Sequence, residues 1–85
     1  MEKPVEEVIE LINSVVEDTS VPKNIRRALS DAKERLKGNE ELSTRVGAAV
    51  YCVEAVSEDI NMPMHARTQI WTILSALESV KTVQE

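Results

Sequence analysis

The 85-residue sequence has little of what sheet proteins, disulfide-bonded proteins and zinc proteins are built from. It contains no Phe, one Tyr, one Trp, 2 Gly and 3 Pro. A β-sheet protein needs aromatic and β-branched strands joined by Gly-rich turns, so this composition disfavours one. The single Cys excludes an internal disulfide and a Cys-rich zinc site, and we expect no cofactor.

Positive charge and long apolar runs are scarce as well. The chain has 10 basic against 15 acidic residues, a net charge of −5, which disfavours a general nucleic-acid binder. No apolar run approaches the roughly 20 residues of a membrane span. Because the N-terminus is acidic and lacks the basic region of a signal peptide, we expect a cytoplasmic protein and no membrane partner.

Helical periodicity is what the sequence does contain. Apolar residues recur three and four positions apart in four stretches, separated by short polar breaks that carry Pro22, Gly38 and Pro63. The third stretch runs from about Leu42 to Val56. We therefore predict an all-α fold, with four helices in a single domain over residues 1–85.

The first and third breaks are alike because the chain repeats itself with a shift of 41 residues. The shift aligns two Glu-Asp pairs, two prolines, two arginines and many apolar positions. This pattern predicts two helical hairpins, one over about 4–38 and the other over about 42–81. They would form either a bundle or a minimal helical array.

An arginine recurs eight residues after the aspartate of each break, as Arg26 and Arg67. We expect each to form an ion pair that fixes its turn, because a guanidinium suits a carboxylate. The partner of Arg26 would be Asp18 or Glu17, and that of Arg67 would be Asp59 or Glu58. The alternative is a pair of guanidinium groups presented to phosphate or carboxylate. Recurrence in both hairpins favours the structural interpretation.

Two family resemblances follow from these segments. VVEDTSVPKNIRRALSDAKERL (15–36) resembles a HEAT repeat, which implies stacked helix pairs in which the acidic turn residue holds the arginine. VVEDTSVPKNIRRA (15–28), STRVGAAVYCVEAVSEDINMPMHARTQIW (43–71) and LSALESVK (74–81) resemble the uncharacterised archaeal protein family 0147, over roughly residues 4–81. That resemblance implies an all-helical archaeal protein with no established activity, and it supplies no catalytic or binding residue.

The second helix is the one basic segment. Residues 21–37 carry a net charge of +4, whereas residues 1–20 carry −5. Five of its basic side chains lie opposite the apolar stripe and are candidate phosphate contacts: Lys23, Arg26, Arg27, Lys33 and Lys37. No aromatic residue is interleaved with them, so base stacking has no support. A solvated face beside the acidic first helix is the favoured interpretation, and nucleic-acid binding is the alternative.

Candidates for chemistry are sparse. His65 and Cys52 lie on different predicted helices without a ligand-spaced partner, and a metal site needs three or four ligands. A Cys–His nucleophile would also need an orienting third group. We therefore expect no catalytic residue, no metal site and no enzymatic activity.

Apolar residues on the outward side of the second hairpin are the more informative signal. Where the first hairpin has polar residues, the second has Gly47, Ala48, Tyr51, Ala55, Met64 and Trp71. A helix that is apolar on two sides is usually buried on two sides. We predict a homodimer through the third and fourth helices, acting as a protein–protein interaction module or an assembly subunit that also binds another protein. The alternative is that Tyr51 and Trp71 fill the core.

Overall fold

The structure, a computed structural model, describes the backbone of residues 3–84 and the side chains of residues 4–80. Four helices and no strand lie within that range: α1 (Lys3–Val16), α2 (Lys23–Leu36), α3 (Leu42–Glu54) and α4 (Met64–Gln84). The predicted all-α fold with four helices is confirmed.

The third helix ends two residues earlier than the sequence predicts. After Glu54 the amides of Val56 and Ser57 turn to the carbonyls three residues back, at 3.2 and 3.3 Å. The Ser57 hydroxyl also donates to the Glu54 carbonyl, at 3.1 Å. These bonds satisfy carbonyls that a helix end otherwise leaves unpaired, so the chain leaves α3 before Val56.

The helices close into a ring. α1 packs on α2 and α4, and α3 also packs on α2 and α4. The short connections make successive helices antiparallel, and the molecule measures 35 × 19 × 19 Å. Of the two predicted arrangements, this is the bundle, since the first and last helices contact each other.

The core is formed by one apolar stripe from each helix. The Leu29 and Leu77 side chains have no solvent exposure, and no polar or charged side chain is buried in the described part of the chain. The stripes have the three- and four-residue spacing that predicted the helices. Partly buried side chains beside the stripes, such as Val50 and Leu74, also pack against this core.

The two hairpin turns have the same hydrogen bonds, 41 residues apart. The amides of Asp18 and Val21 donate to carbonyls three residues back, at 3.1 Å each, and those of Asp59 and Met62 do the same at 3.2 Å. In each turn the aspartate side chain accepts the amide two residues later, at 2.9 and 2.8 Å. The two turns with aligned sequences thus share these bonds, and the repeat as a whole stays a prediction.

Candidate interaction surface

Four large apolar side chains face solvent on the second hairpin. Tyr51 is 77% exposed, Ile60 89%, Met64 80% and Trp71 66%. They come from α3, α4 and the turn between them, and we call them the outer apolar face. Among the described side chains, the first hairpin exposes no large hydrophobic residue. Within the described residues, the exposed large apolar side chains are therefore confined to one hairpin of the two.

The exposure of Tyr51 and Trp71 rules out the alternative in which they fill the core. Small residues lie three or four positions from Tyr51, in α3 and directly after it: Gly47 and Ala55 are exposed and Ala48 is half-buried. A Cβ added at Gly47 would meet nothing within 4 Å. A second helix can therefore approach the α3 backbone closely at this point.

Ile60 belongs to this surface and is absent from the residues predicted for it. The residue aligned with it in the first hairpin is Thr19, again a polar residue replaced by an apolar one. The repeat comparison that selects Tyr51 and Trp71 would have selected Ile60 too, had it been extended into the turn.

An open groove of about 520 Å³ runs along α4 beside the turn. Its α4 side is formed by residues three and four apart, which share one side of a helix. Its lining combines apolar, hydroxyl and charged side chains: Ser57, Glu58, Ile60, Arg67, Trp71, Leu74 and Ser75. Two members of the outer apolar face therefore adjoin one cation and one anion.

The two arginines of the predicted ion pairs behave differently. The Arg26 Nε donates to the Val21 carbonyl at 2.9 Å and is partly buried. Arg67 is exposed, and it has no hydrogen bond or ion pair from its side chain to any described residue.

The predicted ion pairs themselves are not found within residues 4–80. No ion pair or hydrogen bond joins Arg26 to Asp18 or Glu17, or Arg67 to Asp59 or Glu58, in that range. The two aspartates instead accept hydrogen bonds from the backbone amides two residues later, those of Ser20 and Asn61.

Asp18 also receives a bond from the other hairpin. His65 Nε2 lies 2.9 Å from its Oδ2 and 3.2 Å from the Ser20 hydroxyl, which in turn donates to Asp18 Oδ1 at 2.6 Å. We call this cluster the His65 clasp. The Ser20 hydroxyl and amide, then His65, lower the pKa of Asp18 from 3.8 to about 2. The clasp ties the α1–α2 turn to the start of α4.

The second turn has an equivalent contact. Asn24 Nδ2 donates to Asp59 Oδ2 at 3.0 Å, and we call this the Asn24 clasp. The Asn61 amide, and then Asn24, lower the pKa of Asp59. Asn24 and His65 are 41 residues apart, as are the two aspartates, so each hairpin holds the turn of the other through the same position.

The His65 clasp does not have the geometry of a serine nucleophile. In a Ser-His-Asp triad the serine and the aspartate bind different imidazole nitrogens, so that one nitrogen can take the serine proton. Here both Ser20 and Asp18 lie against Nε2. The contacts of this cluster join the α1–α2 turn to the first turn of α4.

The other candidates for chemistry lie apart from one another. Cys52 is a free thiol, half-buried and packed against the core. Within the described residues, no three His, Cys, Asp or Glu side chains lie close enough to hold a metal ion. In the same range, no helix is both long and apolar enough to cross a membrane.

The basic side chains of α2 are only partly available to a ligand. Lys23, Arg27 and Lys37 are exposed, and Lys33 is half-buried. Arg26 is engaged by the Val21 carbonyl. Only the Nε of Arg26 is used in this bond, so its terminal guanidinium nitrogens keep their N–H donors, and the five phosphate contacts stay a prediction.

These features define a small all-α protein, a closed four-helix bundle with one apolar hairpin. Residues 1–80 match the family model described as Uncharacterised protein family (UPF0147). The chain therefore belongs to this family, as the sequence resemblance predicted. The family has no established function, so membership supports the fold and assigns no site.

Relatives of similar length occur in several archaea. A UPF0147 protein of Methanocaldococcus jannaschii is 45% identical over 85 residues, covering 94% of this chain and 91% of the relative. One of Archaeoglobus fulgidus is 41% identical over 78 residues, covering 92% and 90%.

Two crystal structures are similar in fold. The unknown function protein MMP1188 superposes with a TM-score of 0.86 at 43% identity, covering 89% of this chain and 88% of its own. A UPF0147 protein from Thermoplasma acidophilum gives 0.85 at 35% identity, covering 89% and 91%.

Proposed function

We propose that this protein is a non-enzymatic interaction module that forms a homodimer through the outer apolar face, alone or as a subunit of a larger assembly. The observation that carries the proposal is the exposure of Tyr51, Ile60, Met64 and Trp71 on one hairpin. Monomeric soluble proteins rarely expose a large contiguous apolar patch. Tyr, Trp and Met are also the residue types enriched at interfaces.

A second copy is the favoured partner because of symmetry and shape. Most soluble homo-oligomers are two-fold dimers, in which one patch meets itself. The small residues around Tyr51 leave room for an approaching helix, since the space beyond Gly47 is open. A four-helix bundle of this size also buries a limited core, which a dimer would supplement.

Sedimentation velocity across a micromolar concentration series tests the proposal. The wild-type protein is expected to sediment as a dimer, and Trp71→Ser and Tyr51→Ser as monomers with unchanged helical circular dichroism. Glu10→Ser is the matched control, since Glu10 aligns with Tyr51 in the other hairpin, and it should still dimerise. A wild-type monomer throughout the series would refute the proposal.

Tryptophan fluorescence gives an independent readout because Trp71 is the only tryptophan in the chain. Its side chain is 66% exposed in the single chain. Burial in a dimer should shift its emission to shorter wavelength as the concentration rises. Emission that is independent of concentration while the protein sediments as a dimer would place the interface elsewhere.

Nucleic-acid binding by α2 is the second candidate, supported by the exposure of Lys23, Arg27 and Lys37. Phosphate contacts predict an affinity for RNA or DNA that falls steeply with salt. The variant Lys23→Glu/Arg27→Glu/Lys33→Glu should abolish such binding and leave dimerisation unchanged. Binding that is unaffected by this variant would exclude α2 as the contact surface.

A further inference from the structure

Two side chains of opposite charge line the groove beside the α3–α4 turn. Arg67 and Glu58 line it and are exposed. Within the described residues, neither side chain has an ion pair or hydrogen bond, and the two do not pair with each other. The same groove is lined by the apolar side chains of Ile60, Trp71 and Leu74.

The first hairpin lacks this combination. The positions that align with Ile60, Trp71 and Leu74 carry Thr19, Ser30 and Lys33. The arginine that aligns with Arg67 is bound to the Val21 carbonyl. The apolar lining and the free guanidinium therefore occur together in one hairpin.

We propose that this groove binds a second copy of the chain. In the resulting dimer, Arg67 of one protomer pairs with the partner's Glu58. This inference rests on the proposed homodimer and specifies its register. A two-fold interface requires that if one position contacts another, the reverse contact also forms. A groove that carries both an unpaired cationic and an unpaired anionic side chain can meet this requirement, because each charge can face the opposite charge of the partner.

The charges and the apolar residues have separate roles. Burial of Trp71 and Ile60 supplies most of the affinity, because it removes apolar surface from water. The two Arg67–Glu58 pairs choose one orientation among those that the apolar surface would allow, since mismatched like charges are unfavourable. The register should therefore respond to charge reversal even where the apolar surface is intact.

A charge swap tests the pairing. Arg67→Glu and Glu58→Arg should each weaken the homodimer by at least about tenfold, because each places like charges opposite one another. An equimolar mixture of the two variants should form a heterodimer, and the double variant Arg67→Glu/Glu58→Arg should dimerise as the wild type does. Two differently sized fusion tags resolve the three species by native mass spectrometry.

The matched controls are Arg27→Glu and Glu17→Arg, exposed residues of the first hairpin with the same charge changes. Both should dimerise normally. If the wild type dimerises and Trp71→Ser does not, but the charge variants behave as their controls do, the Arg67–Glu58 register is wrong and the apolar interface stands. If the wild type is a monomer at every concentration, the second copy is excluded as occupant and both proposals fail.

Discussion

Asp18 accepts two hydrogen bonds from Ser20 and one from His65. These bonds favour the carboxylate, which is why its pKa falls to about 2 from 3.8. A lowered pKa means that the folded state binds the proton more weakly than the unfolded chain does. The stability contributed by Asp18 is therefore complete above about pH 5 and is lost as the pH falls towards about 2.

Asp18→Asn should flatten the acid dependence of stability. The melting temperature of the wild type should fall between about pH 5 and pH 2, and that of the variant should fall less over the same range. Asp31→Asn, which changes an exposed carboxylate on α2, is the control and should follow the wild type. Parallel curves for Asp18→Asn and the wild type would contradict the structure's assignment of the His65 clasp.

Arg26 illustrates a bond that a spacing argument assigns to the wrong partner. Its Nε donates to the Val21 carbonyl, so Arg26→Met should leave that carbonyl without its bond. We expect a loss of about 1 kcal/mol in the free energy of unfolding, measured by urea denaturation. Arg27→Met, an exposed neighbour on the same helix, should change it little. Equal effects of the two variants would show that the carbonyl bond is unimportant.

The helices can be predicted from the sequence, because the apolar residues that a helix buries along one side recur every three or four positions. Leu29 and Leu77 are buried where their periodicity places them. The His65 clasp does not follow, because Asp18 and His65 are 47 residues apart and nothing local identifies them as partners. The outer apolar face was predictable except at Ile60. Aligning the two hairpins identifies positions where an apolar residue replaces a polar one, which periodicity within a single helix does not show.

At the scale of elements, α3 carries a glycine that its own bundle does not need. Gly47 has ordinary helical φ, and a Cβ there would have open space. Gly47→Ala should therefore raise the free energy of unfolding by about 0.5–1 kcal/mol, since glycine is a poor helix former. The comparison is best made in the Trp71→Ser background, so that dimerisation does not contribute.

Gly38→Ala is the matched control for this helix effect. A Cβ at Gly38 would lie 2.7 Å from Glu40 Oε1 and 3.3 Å from the Arg35 carbonyl oxygen. The glutamate can move aside but the backbone carbonyl cannot easily do so, so we expect little or no gain. A gain at Gly38 as large as that at Gly47 would contradict this account.

At the scale of the whole molecule, each of the two clasps joins the turn of one hairpin to a residue of the other hairpin. Asp18 contacts His65, and the aligned residues Asp59 and Asn24 contact each other. A two-fold relation between two units produces such reciprocal contacts. The two clasps therefore give the bundle the contact pattern of two hairpins that face each other.

This arrangement predicts that the order of the hairpins is interchangeable. Pro4 of α1 and Val80 of α4 line the same groove, so the start of α1 lies near the last turns of α4. A permuted chain with a short Gly-Ser linker between the old ends, opened at Asn39 in the α2–α3 connection, keeps both hairpins and both clasps. We expect the helical content of the wild type and a melting temperature within a few degrees of it.

Opening the chain between Asp18 and Thr19 is the contrasting permutation, with the same linker and the same composition. It cuts the chain between Asp18 and Ser20, which are hydrogen-bonded to each other. The two residues that contact His65 are then no longer held in one turn. Its melting temperature should lie several degrees below that of the Asn39 permutant, measured by circular dichroism at one protein concentration. Equal stability of the two permutants would mean that the turns are passive connections, and that packing of the apolar stripes alone sets how the hairpins face each other.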